Sequence, residues 1–275
     1  MRSRPVFAWT IPLLLILCSR TALAALPAAC YPGDPGEPAR VASVIDGDTV
    51  ILSDSTHVRL IGIDTPEIGH RGAPSEAGAL EARAFLASLL RNHESVELLQ
   101  DAEAHDRYGR RLAHLRLDDG TIAEVPLLQE GLATPLIIPP NLLLVDCYDA
   151  AAGGAEAAGR GLWAHPDHEP VSAETLDPAA RGYRVVTGAV SSVGQSRSSF
   201  WLEMAPHFAL RIAREDLRYF HGMELADLAW QAIRARGRLY TAHGQLRMRI
   251  RHPLDLNVLE PTRATIPSSG SLKEP

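Results

Sequence analysis

Residues 40–64 hold three apolar runs, and the gaps between them leave the chain few choices. Arg40-Val41-Ala42-Ser43-Val44-Ile45, Thr49-Val50-Ile51-Leu52 and residues 57–64 are separated only by Asp46-Gly47-Asp48 and Ser53-Asp54-Ser55. Gaps this short, built from turn-forming residues, send a strand straight back along its neighbour, whereas a parallel pair needs a crossover of about a dozen residues. The stretch is therefore expected as an antiparallel meander.

The pattern changes to helical over residues 75–92, where Leu80, Ala84, Ala87 and Leu90 recur at three- and four-residue steps opposite Glu76, Glu81 and Arg91. Residues 96–99 and 111–117 alternate as strands. A short helix at 125–132, closed by Gly131, and an Ala-rich helix at 143–158 follow. Residues 166–178, rich in Pro, Glu and Asp, read as a linker. Beyond it come strands at 183–192, 199–204 and 209–212, a helix at 225–236, strands at 238–243 and 246–250, and a disordered tail at 261–275. The expected class is mainly β with helices (α+β), and many short strands favour a small barrel over a sandwich. The order does not alternate as a doubly wound fold would.

Residues 1–24 read as a signal peptide. Arg2 and Arg4 precede a short apolar run, Val6 to Leu17, and Ala22-Leu23-Ala24 offers small residues to a peptidase. That run is shorter than the ~20 residues a spanning helix needs, so no stable membrane insertion is expected after cleavage, and the product is expected outside the cytoplasm, in the periplasm or beyond. Cleavage removes three arginines and no acids, taking the formal charge from −6 to −9. So acidic a chain does not suit a passive polyanion binder, and positive charge for nucleic acid must be local or supplied by a metal. Two cysteines remain, Cys30 and Cys147. In an exported chain they are expected as a disulfide, the alternative being two separate buried thiols.

Asp48 and Asp64 each stand at a strand edge. Two carboxylates from adjacent strands, with no His or Cys beside them, suit calcium or magnesium. Thr65, held extended by Pro66, can add its carbonyl, and three protein ligands leave room for water and substrate. The alternative is that these are ordinary turn acids. Glu67 is placed to take a proton from water, or is a solvated loop residue. Arg59 and Arg110 can meet a phosphate with parallel hydrogen bonds and keep their charge, or form surface salt bridges. Arg111 is expected on the opposite side of its strand.

Asp46-Gly47-Asp48-Thr49-Val50, Arg59-Leu60-Ile61-Gly62-Ile63-Asp64-Thr65-Pro66-Glu67 and Asp106-Arg107-Tyr108-Gly109-Arg110 occur in that order, followed by Gln129-Glu130-Gly131-Leu132-Ala133 and Gly161-Leu162-Trp163. From about residue 41 to 163 the chain resembles the staphylococcal-type thermonuclease family. The resemblance implies a five-stranded OB-fold barrel with three helices. It also implies Ca2+ held by Asp48, Asp64 and the Thr65 carbonyl, Glu67 as general base, Arg59 and Arg110 on the phosphate, and Tyr108 beside the substrate. The implied activity is hydrolysis of DNA or RNA to 3′-phosphate ends; the chain is expected to act as a monomer. One departure stands out: where the family has two substrate-packing tyrosines, Thr134-Pro135-Leu136-Ile137-Ile138-Pro139-Pro140-Asn141 has no aromatic. Base stacking is worth about 1–3 kcal/mol per base, so substrate grip is expected to differ.

Residues 25–165 are thus expected as a thermonuclease-like domain. Residues 179–260 resemble a second small OB-like β-barrel of the kind fused to some bacterial thermonuclease domains. In Arg247-Met248-Arg249-Ile250-Arg251 the arginines share one strand face that can track a phosphate backbone or simply be solvated. Two other readings of function stay open. One is a non-catalytic single-stranded nucleic-acid-binding protein; the other is an envelope interaction module, which the acidic charge and missing tyrosines favour.

Overall fold

The meander over 40–64 folds back on itself as its short turns require. The computed structural model of the chain describes residues 30, 33, 35–70, 72–93 and 95–260, and the expected signal peptide and tail lie outside them. After β1 (Glu37–Ala39), strands β2 (Val41–Asp46), β3 (Thr49–Leu52) and β4 (His57–Leu60) pair antiparallel in succession. A break at Ile61 leads into β5 (Gly62–Asp64), which leaves this sheet. Then come α1 (Ala79–Arg91), β6 (Val96–Leu99), β7 (Arg111–Leu117), α2 (Glu124–Gln129), β8 (Thr134–Leu136) and α3 (Val145–Ala157). The sheet runs β1-β6-β7-β4-β3-β2, with β4 parallel to β7, while β5 and β8 form a ribbon of their own. The fold is mixed α+β with strands predominating.

Helix α1 forms where expected but turns a different face inward. It buries Ala79, Ala82, Leu86 and Leu90, while Leu80 is 59% exposed. The small side chains decide this. A Cβ on Gly47 would lie 2.7 Å from the Ala82 Cβ and from Thr65 Cγ2, so a glycine at 47 against the small Ala82 lets the helix settle on the β2–β3 turn. The apolar sides of α1, α2 and α3 close one core with the sheet, and a disulfide joins Cys30 to Cys147 on α3, 117 positions along the chain.

The second half builds its own core around Phe208, Leu210, Ile233 and Met248. Its strands are β9 (Val171–Ser172), β10 (Gly182–Ala189), β11 (Ser192–Gln195), β12 (Ser199–Ala205), β13 (Phe208–Ala213), β14 (Ala232–Ala242), β15 (Gln245–Arg249) and β16 (Leu256–Val258). The sheet runs β11-β12-β13-β15-β14-β10-β9, with β16 on β14. Two expectations are corrected here. Residues 166–178 are no free linker: β9 pairs with β10, and Ala173 and Leu176 are buried in the core, because this polar stretch carries an apolar residue at each inward position. Residues 225–236 are not a helix but a short 3-10 turn, Leu225–Leu228, followed by the start of the long strand β14. The period there is two: Ile233 and Ala235 point into the core, and Arg234, Arg236 and Arg238 point away.

Those three arginines fasten the second sheet to the first domain. Arg234 pairs with Glu156 and Arg236 with Asp149, both on α3, and Arg236 also reaches Asp255. Asp149 and Glu156 are two helical turns apart and so share a face. Beside them Tyr183 and Val185 of β10 enter the first core, and the His168 ring stacks on Tyr183 with its centroid 5.2 Å away.

Two outcomes follow from the disulfide and the junction. Replacing both cysteines by serine should lower the unfolding free energy by roughly 2–5 kcal/mol in urea titrations, since the bridge closes a long loop in the unfolded chain. His168, enclosed by Trp163 and Tyr183 and facing His165, Asp167 and Arg184, has its pKa pushed down from 6.5 to about 4, chiefly by burial. The native state then binds fewer protons than the unfolded chain between those values, so this group's contribution is intact above pH 6.5 and lost as pH falls toward 4. Melting temperatures of wild type and His168→Gln should therefore converge on acidification, and a constant difference across that window would contradict the assignment.

Candidate active site

Strand pairing sets Asp48, Arg59 and Asp64 side by side. Thr49 on β3 lies opposite Arg59 on β4, and the Leu60 amide donates to the Asp48 carbonyl at 2.8 Å. Both acids are buried, 3% and 8% exposed. The Arg59 Nη2 lies 3.0 Å from Asp48 Oδ2 and 3.5 Å from Asp64 Oδ1, and Arg59 also donates to the Leu60 carbonyl. Asp48 Oδ2 accepts the Thr65 amide at 2.9 Å, and Oδ1 accepts the Thr49 hydroxyl at 3.1 Å. Burial pushes the Asp48 carboxyl above its ordinary range, against the pull of Arg59. The two carboxylates therefore share the Arg59 guanidinium.

Glu67 stands exposed at the edge of this cluster. The loop after it is clasped by its own backbone, with the Glu67 amide on Glu76 Oε2 at 2.9 Å and the Glu76 amide on the Glu67 carbonyl at 2.9 Å. Partial burial, then the charges of Asp48 and Asp64, raise the Glu67 carboxyl above its usual value.

Arg110 approaches from the loop before β7, the strand parallel to β4. Its amide and Nε donate to the two carboxylate oxygens of Asp106 at 2.9 and 2.7 Å, which fixes the guanidinium while leaving both Nη groups without a hydrogen bond among the described residues. Tyr108 is 70% exposed, with Arg107 over its ring. Arg111 faces the other way and makes a two-pronged pair with Glu37. Arg59, Tyr108, Arg110, Leu136, Ile138 and Arg251 line one cavity of about 560 Å³. Where aromatic residues would be stacked, the wall is aliphatic.

The arginines at 247, 249 and 251 do share a face opposite buried Met248 and Ile250, but they have different fates. Arg249 is taken up by Glu215 and Asp216 at 2.7 and 2.8 Å. Arg247 lies over the Trp201 ring at 4.5 Å. Arg251 reaches the cavity of the first domain. One participant was not foreseen: Arg238 of β14 donates through Nε to Asp64 Oδ2 at 2.6 Å, with Glu76 at 3.8 Å from Nη2. Its sequence signal was the alternation Arg234, Arg236, Arg238, which a helical reading of that stretch conceals.

Among the described residues no three His, Cys, Asp or Glu side chains gather into a metal cluster. The donor set at Asp48 and Asp64 nevertheless fits a hard cation: the two buried carboxylates already draw positive charge to one place, Arg59 between them and Arg238 on the second oxygen of Asp64, and the remaining ligands would come from backbone, water and substrate.

The family profile described as Staphylococcal nuclease homologue matches residues 57–165, a span that contains Arg59, Asp64, Thr65, Glu67 and Arg110 and begins after Asp48. A thermonuclease of Staphylococcus intermedius is 41% identical over 109 residues, which cover 38% of this chain and 64% of that protein. A thermonuclease of Staphylococcus hyicus is 33% identical over 129 residues, 46% of this chain and 75% of that protein. Endonuclease YhcR of Bacillus subtilis (strain 168) is 27% identical over 197 residues, 68% of this chain but 16% of the relative. The chain thus spans less than two thirds of the first of these proteins.

The turn that aims Asp64 gives a direct test of the geometry. Gly62 has φ +85°, and a Cβ there would meet the Tyr148 ring at 2.3 Å. Gly62→Ala combines a left-handed penalty with overpacking, each about 1–3 kcal/mol. Chemical denaturation should show a loss of more than about 2 kcal/mol, and a near-neutral variant would mean that β5 leaves the sheet differently.

Proposed function

The chain belongs to the staphylococcal nuclease homologue family, and from that premise we propose that it is a calcium-dependent nuclease hydrolysing the phosphodiester bonds of DNA or RNA. The observation that carries this reading is the convergence of Asp48, Asp64 and Arg59, with Glu67 at the edge of that cluster and Arg110 in the cavity that Arg59 also lines. The residue set is complete for the chemistry. Asp48, Asp64 and the Thr65 carbonyl would hold the cation, which when bound acidifies water and offsets charge on the phosphate.

The chain's own groups supply the rest. Arg59 and the free Nη groups of Arg110 bind the scissile phosphate and stabilise the extra negative charge of the five-coordinate transition state. Asp106 holds the Arg110 fork in orientation. Glu67 accepts the proton of the attacking water as the new oxygen–phosphorus bond forms. The bond to the 5′-oxygen breaks, that oxygen takes a proton from solvent, and the phosphate stays on the 3′ side. We read both strand-rich halves as OB-type barrels. We also read the protein as a monomer exported to the periplasm or beyond. The Cys30–Cys147 pair supports export, because disulfides persist in oxidising compartments.

Digestion of single- and double-stranded DNA and of RNA tests the proposal. Glu67→Gln should lower kcat by about 10²–10⁴, Arg110→Ala by about 10²–10³, and chelation should abolish turnover until calcium is restored. Hydrolysis that survives the chelator would remove the cation from the scheme. Binding without hydrolysis would leave a nucleic-acid-binding protein on the same scaffold.

A further inference from the structure

Arg251 belongs to the second domain by sequence and to the first domain's cavity by position. It follows β15, on the face that also carries Arg247 and Arg249, and it lines the same cavity as Arg59, Tyr108 and Arg110. The other two arginines of that face are occupied, one by an aromatic ring and one by two acids. Arg110 is held by Asp106, Arg59 by Asp48 and Asp64, and Arg107 by the Tyr108 hydroxyl at 2.5 Å. Among the described residues Arg251 alone of the cavity arginines has no hydrogen bond, ion pair or ring contact, although it is only partly exposed.

A half-buried guanidinium brings five donors and a full charge to a cavity wall where, among the described residues, no side chain pairs with it. Burial foremost, and then the neighbouring Arg249, work against its charge, while Asp216 and Glu215, which favour it, make their ion pairs with Arg249 instead. Such a group is stabilised by an anion that enters the cavity, and the fork of an arginine matches a phosphate best. The cavity's own acids do not serve: Asp106 is committed to Arg110, and Glu103 makes no pair with Arg251. The aliphatic wall at Leu136 and Ile138 offers a base little stacking beyond that of Tyr108, so charge must carry more of the grip.

We propose that Arg251 is a substrate-binding residue of the catalytic cleft, contacting a phosphate beside the cleaved one on a single-stranded nucleic acid, so that the second domain completes the site. This rests on the nuclease reading above. It changes what the second domain is for: in place of a separate accessory surface, it lends one arginine to the phosphate path and another, Arg238, to the acid cluster.

The test uses the full chain. Binding of a fluorescent 12-nucleotide single-stranded DNA is followed by anisotropy in calcium over a salt series, in a Glu67→Gln background to prevent cleavage. Arg251→Ala should bind about tenfold more weakly at low salt, and the slope of log K against log salt should fall by about 0.7, the value for one lost phosphate contact on a single strand. Arg251→Lys should restore the slope but only part of the affinity. In the active background, KM for the 12-mer should rise with the Ala variant by more than kcat falls. Wild-type affinity and slope in Arg251→Ala would overturn the proposal while leaving the nuclease reading intact. Weaker binding with an unchanged slope would also overturn it, by marking a structural effect. A wild-type chain that neither binds nor cleaves the 12-mer would overturn both.

Discussion

Two buried carboxylates, Asp48 and Asp64, share one guanidinium, and much of the molecule is arranged around that fact. Like charges held together out of water repel one another unless positive charge intervenes. Arg59 supplies it to both acids, because the β3–β4 register sets it beside Asp48, and Arg238 supplies more to Asp64. The turn at Gly62 carries Asp64 off the sheet toward the same point, and the small faces of Gly47 and Ala82 leave room for Thr65 beneath it. A cluster with two fixed acids and an exposed glutamate at its rim is suited to a cation and a water, not to passive packing.

The second domain enters the same electrostatic arrangement. β14 places three arginines on one face by strand period alone: two engage acids on α3, and the third reaches Asp64. Arg236 also faces Asp255, whose carboxyl burial pushes up to about 6. With Tyr183 and Val185 in the first core, this makes the junction both apolar and ionic. The acidic net charge of the chain does not preclude local positive charge: Arg59, Arg107, Arg110 and Arg251 line one cavity.

Much of this was legible in the sequence where local physics decides. Short turns dictated the 40–64 meander, and strands 96–99 and 111–117 have the bounds their alternation indicates. Asp48 and Arg59 could be anticipated as neighbours because a short turn joins their strands, and Asp64 because it follows Arg59 by five residues, although its strand leaves the sheet. Two kinds of feature were hidden. The helical reading of 225–236 failed because alanine and arginine tolerate a helix, and only burial of Ile233 and Ala235 against a distant sheet selects the strand. The separate fates of Arg247, Arg249 and Arg251 depend on acids and rings brought in by tertiary packing, and periodicity carries no information about those.

The central claim is that the Asp48–Asp64 pair is a cation site. Melting temperature as a function of calcium concentration tests it without reference to turnover. A ligand that binds only the folded chain raises stability with the logarithm of its concentration, so the wild-type melting temperature should climb with calcium and that of Asp64→Asn should stay flat. Equal climbs in both proteins, or none in either, would contradict the account.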